Sequence, residues 1–367
     1  MEKVDSTTLG ISKIARGGAI FLIAAISVGG VLFAFKNTVF VKDKKKRETK
    51  ADGQSFESNY PPKPWKHGSE PSNILQTARK RFSTGIGRKI GPKDVVPFKW
   101  QVGGHMAKNG RPGFMRLRPS YILKPVEKDS RGAREVGFYE AVFGEGSWTD
   151  PAFTDEFRSM IPQYHGVYRP PDSNYDFLVL LDLTPQFRLP CVIDIKMGTQ
   201  TFEPDAPLAK RRRENTKYPD QKRDGFRLVA LRVWDEVKQG YLAYGKEELR
   251  SGDIKSKMAL HFFNGKHLRM DVLRETIHKF KEIKEWFLHQ KSLWFVSSSL
   301  LLVYEGDPLQ PLKIDVKLID FAHVRNTTGS DIGFIKGLDN IIQIFEEYLE
   351  NEEDVCDTIR SMRTLAA

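Results

Sequence analysis

Hydrophobic and polar positions follow two periods along this chain, and the period changes from segment to segment. Residues 270–290, MDVLRETIHKFKEIKEWFLHQ, place apolar side chains every third or fourth position, which predicts an amphipathic helix. RGAREVGFYEAVFG (131–144) predicts another, with Val136, Tyr139 and Phe143 at helical spacing, and LDNIIQIFEEYLEN (338–351) predicts a closing helix. FMRLRPSYILKPV (114–126) alternates enough for one or two strands with a turn. DFLVLLDLT (176–184), PCVIDIKMG (190–198), GFRLVALRVWD (225–235), SSSLLLVYEG (297–306) and VKLIDFAHV (316–324) are apolar runs of strand length. APLAKRRRENTKY (206–218) reads as a basic helix. Early strands and a helix followed by a larger mixed half predict a two-lobed α+β protein.

The N-terminal pattern differs. Gly17–Phe35 contains no charged residue, and at about 1.5 Å per residue it would just cross a hydrocarbon core roughly 30 Å thick. The basic flank KNTVFVKDKKKRETK follows it, so the expectation is a transmembrane helix with the C-terminal body in the cytosol. A cleaved targeting segment and an upstream start are the rivals. If the span is not inserted, DKKKRETK reads as a nuclear import signal and the location as nuclear or cytoplasmic. The expected organisation is a tail (1–16), a transmembrane helix (17–35), a Lys/Pro/Ser/Gly-rich linker (36–95), a small lobe with hinge (96–182) and a large lobe (183–367). TGIGRKIG (84–91) lacks the Gly-Lys-Ser/Thr ending of a phosphate loop and is expected to be a turn.

Composition sharpens this. The net charge is +11, and the first 50 residues hold ten basic and four acidic side chains, so about half the excess lies outside the expected core. A basic balance suits an anionic partner. No reading helix, zinc module or aromatic-studded sheet supports nucleic acid as that partner. The two cysteines, Cys191 and Cys356, make neither a disulfide framework nor a zinc site. His261, His267, His278 and His289 lack metal-ligand spacing, and Trp286, Phe287, Trp294 and Phe295 read as core. Ser297–Ser299 is not a nucleophile elbow.

The candidate chemistry is phosphoryl transfer, which needs a lysine on nucleotide phosphates, a carboxylate on the attacking hydroxyl, and a carboxylate on magnesium. Lys124 lies in an early strand and Glu135 in the first long helix, where a kinase-like lobe pairs lysine with carboxylate. Asp194 and Lys196 share one face of a strand. Asp320 ends an apolar strand, where a metal-binding carboxylate would lie. Each pair alone is equally compatible with a structural ion pair. Lys210, Arg213 and Lys217 form one stripe of the basic helix, with Arg212 beside it; either a solvated face or a phosphate-binding face fits.

PCVIDIKMG matches the Pro-x-x-x-Asp-x-Lys-x-Gly signature of the inositol polyphosphate kinase family, and SSLL (298–301) and IDFAH (319–323) resemble two later motifs of that family, in the same order. The resemblance runs from about Gln101 to Tyr348. Within the family the sequence is most similar to the multikinases, through QVGGHM, RGAREVGFYE, LLDLTPQF, FEPDAP, KYP, GFRLVALRVW and VYEG. The resemblance implies a two-lobed kinase with ATP in the interlobe cleft, using magnesium and acting as a monomer on inositol tris- and tetrakisphosphates. It implies Lys124 with Glu135 on the ATP phosphates, Asp182 on the ribose, and Leu181 and Leu183 on adenine. Asp194 would orient or deprotonate the inositol hydroxyl, and Lys196 would touch the substrate phosphates and the transferred group. Asp320 would hold magnesium with help from Ser298 and Ser299, and His323 would lie near the transferred phosphate. Lys210, Arg212, Arg213 and Lys217 would bind inositol phosphates. Arg212 and Arg213 stand where animal multikinases tend to have glutamines, and "MGT" echoes the inositol hexakisphosphate kinases. Pyrophosphate formation on inositol hexakisphosphate, a membrane phosphoinositide substrate, and a membrane-tethered binding module are therefore the alternatives.

Overall fold

In a computed structural model the chain divides into two units, Met1–Ser58 and Asn59–Ala367. The structure describes residues 9–16, 19–28, 31–39, 71–86, 90–98, 107, 111–144, 151–250 and 252–365.

In the first unit β1 (Leu9–Arg16), β2 (Ala19–Val28) and β3 (Val31–Val39) form an antiparallel sheet in that order. Arg16 pairs with Ala19 and Val28 with Val31. Only Gly17-Gly18 and Gly29-Gly30 lie between the paired ends, and Gly-Gly is a dipeptide that two-residue hairpin loops favour. The transmembrane helix expected over Gly17–Phe35 is thus corrected. That stretch supplies β2 and the start of β3, and no helix among the described residues is long and apolar enough to cross a membrane. A uniformly apolar run does not reveal its own period, and β-branched residues between glycine pairs favour strands. The basic flank beyond Val39, most of the expected linker, and QVGGHM lie outside the described residues.

The second unit begins earlier than the pattern predicts. Helix α1 (Pro71–Ile86) falls inside the expected linker. Its Ala78 and Phe82 are buried at i and i+4. Arg79 forks onto Asp176 at 3.0 and 2.7 Å, and Arg81 reaches Glu140 at 3.0 Å. At Gly166 the opposing strand adopts φ +99°, and a Cβ there would lie 2.5 Å from the Ala78 carbonyl. Helix and strand backbones touch because that residue has no side chain.

The small lobe follows: β4 (Val95–Pro97), β5 (Met115–Leu117), β6 (Tyr121–Pro125), α2 (Ser130–Phe143), α3 (Pro151–Ser159), β7 (Tyr164–Tyr168) and β8 (Phe177–Leu181). Its antiparallel sheet has the order β4-β5-β6-β8-β7. The large lobe contains β9 (Pro190–Met197), α4 (Leu208–Lys217), α5 (Gln221–Asp224), β10 (Phe226–Asp235), β11 (Gly240–Tyr244), α6 (Lys246–Arg250) and α7 (Ile254–Ala259). Then come α8 (Met270–His289), β12 (Leu293–Phe295), β13 (Ser299–Glu305), β14 (Ile314–Ile319), β15 (Val324–Asn326), α9 (Ile332–Glu350) and α10 (Glu352–Leu365). The last helix, α10, follows the closing helix that the pattern predicts. The sheet order β11-β10-β9-β13-β14 puts β9 at the centre.

Helix α8 buries Val272, Leu273, Thr276, Ile277, Phe280, Ile283, Trp286 and Phe287, a single stripe at 3.6-residue spacing. Phe287 stacks on Phe334 of α9 with ring centroids 4.0 Å apart. Each large apolar side chain buried in this layer contributes about 1.5–3 kcal/mol. The core therefore fixes the sheet from behind, and the two charges of β9 are held on a rigid strand.

Candidate active site

Strand β6 alternates Leu123 and Pro125 into the lobe and turns Lys124 toward the cleft. On α2, capped by Asp129 accepting from the Arg131 amide, Glu135 faces the same cleft and is buried. Lys124 Nζ lies 2.6 Å from Glu135 Oε1 and 2.6 Å from Asp320 Oδ1. The Phe321 amide also donates to Glu135 Oε1, at 3.3 Å. Burial pulls the Lys124 ammonium down, but Asp320 and Glu135 more than offset it and hold it well above its ordinary value. It stays a cation inside the cleft.

At the far end of the same cleft β8 gives way to the hinge. Leu181, Asp182, Leu183 and Thr184 line it, with Phe98, Phe114, Ile122, Val192 and Leu301 as apolar walls. The Leu181 amide is already bonded to the Gln163 carbonyl and the Asp182 amide to the Ser120 carbonyl. The Asp182 carboxylate accepts from Thr184 N and Oγ1 and pairs with Arg116 at 2.6 Å. A mostly apolar slot with the Lys124 charge at one end is compatible with a nucleotide.

Asp194 and Lys196 emerge from β9 onto one face. Their cross-strand neighbours are Leu301 and Ser299 on β13, and Ala230 and Arg227 on β10. Burial pushes the Asp194 carboxyl up to about 6, with Asp320 adding to the rise and Lys196 opposing it. The Ser299 hydroxyl lies near enough to favour the carboxylate, yet Asp194 Oδ1 is buried without a hydrogen-bond partner. Burial lowers Lys196, against the pull of Asp320 and Asp194. Lys196 Nζ donates to the Ser297 carbonyl at 2.7 Å and sits 3.8 Å from Asp320 Oδ2. Both Ser297 (φ 61°) and Asp320 (φ 69°) are left-handed, and such backbone strain gathers at functional sites. Gly198 ends the signature strand at φ +96°, a conformation that accounts for the final glycine of that motif.

The expected metal ligands separate. Asp320 is partly exposed, whereas Ser298 is fully buried and donates its hydroxyl to the Asp320 backbone carbonyl at 3.0 Å. Ser298 thus holds the loop, while Ser299 faces Asp194. Among the described residues no group of three or more His, Cys, Asp or Glu converges as a metal site.

On the other bank α4 carries Lys210 and Lys217 half-buried, and Arg212 and Arg213 exposed. Lys217 lies 2.5 Å from Glu214, which also meets the buried Arg227 at 3.6 Å. Arg211 turns away and donates to the carbonyls of Ala206 and Pro204. Burial lowers His323; the Glu203 carboxylate opposes that and the Lys210 charge adds to it. His323 Nδ1 is 3.2 Å from Glu203 Oε2. Glu203 Oε1 also accepts from Arg134 at 2.8 Å and from Arg325 at 2.9 Å. Glu203, Arg134, Arg325, Glu214 and Arg227 are absent from the sequence-level site. FEPDAP marks the neighbourhood of Glu203, but nothing in its local pattern names the partners.

Residues 177–346 match the family model described as inositol polyphosphate kinase. The chain is 34% identical over 245 residues to the inositol polyphosphate multikinase of Homo sapiens, covering 65% of this chain and 56% of that protein. It is 28% identical over 284 residues to inositol polyphosphate multikinase alpha of Arabidopsis thaliana, covering 70% of this chain and 97% of that protein. The inositol phosphate multikinase Ipk2 of S. cerevisiae, solved in complex with ADP and Mn2+, superposes with a TM-score of 0.52 at 24% identity, over 63% of this chain and 100% of that one. That last likeness carries the fold. The chain spans about half the length of the mammalian multikinases it matches.

Proposed function

We propose that this protein, whose residues 177–346 match the inositol polyphosphate kinase family model, transfers the terminal phosphoryl group of ATP to a hydroxyl of a soluble inositol polyphosphate, with the tris- and tetrakisphosphates as first substrates. One observation carries the reading: Lys124, Asp194, Lys196 and Asp320 come from two lobes and three strand ends into one cleft, next to a hinge slot of nucleotide character.

In this reading Lys124, locked as a cation, binds the nucleotide phosphates, and Leu181 to Leu183 border the base and ribose. Asp182 meets the ribose only through whatever its Thr184 and Arg116 contacts leave open. Asp194, which lines the cleft, accepts the proton of the attacking hydroxyl, and at pH 7 a group titrating at about 6 is mostly in the accepting form. Lys196 follows the charge of the moving phosphoryl group, exchanging the Ser297 carbonyl for it. Lys210, Arg212, Arg213 and Lys217 receive the substrate phosphates, for which arginine forks are suited.

The residues fit a magnesium ion that arrives with the nucleotide. Such an ion takes one or two carboxylates plus substrate phosphates and not a full protein cage, and Asp320 is the partly exposed carboxylate at the cleft floor. When bound it would neutralise charge on the nucleotide phosphates, with Ser298 holding the Asp320 loop in place.

The test is turnover by the full chain with ATP and magnesium, followed by mapping of the product. The panel is inositol tris-, tetrakis- and hexakisphosphate and vesicles carrying phosphoinositides. Phosphorylation of the tris- or tetrakisphosphate is expected. Turnover confined to hexakisphosphate or to vesicles would replace the substrate assignment, and no turnover by folded protein would overturn the kinase reading.

A further inference from the structure

Glu203 is a buried carboxylate that none of the proposed chemical steps uses. It gathers two arginines and a histidine from two parts of the fold: Arg134 from α2 of the small lobe, and His323 and Arg325 from the segment that follows Asp320 in the large lobe. Burial would raise its pKa, but His323, Arg325 and Arg134 hold it below the usual carboxylate range, so it is an anion through the neutral pH range. Asp205 adds a second contact to Arg325 at 3.1 Å. Arg134 is the helix neighbour of Glu135, which holds Lys124. One turn of α2 therefore reaches both the nucleotide lysine and, through Glu203, the segment carrying His323.

We infer that Glu203 is a positioning residue that straps the small lobe to the Asp320–Arg325 segment and sets the distance between the nucleotide and substrate banks of the cleft. The inference rests on the kinase reading for its kinetic consequence and on the salt bridges alone for its structural one. Glu203 would touch neither substrate. It acts by holding α2, His323 and the loop of Asp320 in one register, so its loss is felt where reacting groups must meet and not in how tightly ATP enters the slot. A misplacement of about 1 Å at reacting atoms costs on the order of 100-fold in rate.

The test compares Arg134→Ala, Arg134→Lys, Glu203→Ala and Glu203→Gln in the full chain. Arg134→Ala and Glu203→Ala should each lower kcat for the inositol phosphate by about 10- to 100-fold, leaving the KM for ATP within about twofold. Arg134→Lys should recover most of the loss, and the Arg134→Ala/Glu203→Ala double variant should be no worse than the worse single one. Amide hydrogen exchange of residues 319–326 should speed up in Arg134→Ala, although Arg134 lies in the other lobe. That arm decides the strap even if the wild type turns over no inositol phosphate, an outcome that would sink the kinase reading by itself. Unchanged exchange at 319–326 in Arg134→Ala, or a kcat within twofold of an active wild type, overturns the inference.

Discussion

On the bank proposed to take the nucleotide, Lys124 sits 2.6 Å from each of two carboxylates supplied by α2 and by the loop after β14. On the bank proposed to take the substrate, α4 holds Arg212 and Arg213 out in solvent, and Lys217 is tied to a glutamate of its own helix. The first bank is assembled from segments far apart in sequence and is fixed before any ligand arrives. The second is one helix whose register is set by buried Glu214 against Arg227 and whose charges remain adjustable. A reaction centre tolerates little displacement, whereas recognition of the proposed polyphosphate substrate can be spread over several long side chains. The two banks should therefore respond differently to mutation.

The largest effect is expected at their junction. Asp194→Asn should lower kcat by about 100- to 10,000-fold, the range for loss of a general base, measured at saturating ATP. It should also stabilise the fold. The folded pKa of about 6 exceeds the unfolded value, so the protonated form is favoured by folding. That contribution is fully present below the unfolded pKa and is lost as pH rises through about 6. Urea unfolding at pH 8 should favour the Asn variant by on the order of 1–3 kcal/mol, and by less at pH 5. Equal stability at both pH values would break the assignment of a buried, desolvated carboxylate.

Next, Lys124→Ala should cost about 3–5 kcal/mol, because it leaves Glu135 buried without its cation, read as a fall in thermal midpoint. Adding Glu135→Ala should restore part of it. On the other bank, Arg212→Gln with Arg213→Gln should leave the midpoint unchanged and raise KM about 3- to 10-fold. The rise should be larger for the more phosphorylated substrate and smaller at high salt. A change in kcat instead would mean that α4 belongs to the fixed bank. The smallest effect is on pH: kcat/KM should drop about twofold between pH 7 and pH 6 as Asp194 gains its proton, and Asp194→Asn should flatten that slope.

How far sequence could reveal the molecule varied from element to element. Strand β9 was legible because a charged pair inside an apolar run is conspicuous, and Lys124, Glu135 and Asp320 were legible because each sits at a predictable place in a strand or helix. Helix α1 was not, although Ala78 and Phe82 have the right spacing. Its arginines look like linker charge until Asp176 and Glu140 are seen opposite them. Glu203 was hidden for the same reason: its partners are 69 and 122 residues away, and no local period encodes such a meeting. At the N terminus the apolar run carried no period to separate helix from strand, and its glycine pairs lie between the ends of paired strands.

The left-handed backbone at Asp320 has a consequence for what this position can become. At φ 69° a side chain with a Cβ is strained, and glycine, asparagine and aspartate are the residues that bear it at low cost. Conformation thus admits three residues, while charge beside Lys124 and Lys196 admits one. Drift away from catalysis would pass most easily through asparagine, by a single change that spares the backbone. Under the proposed kinase reading, a duplicated copy of this chain changed there would lose turnover while keeping its backbone.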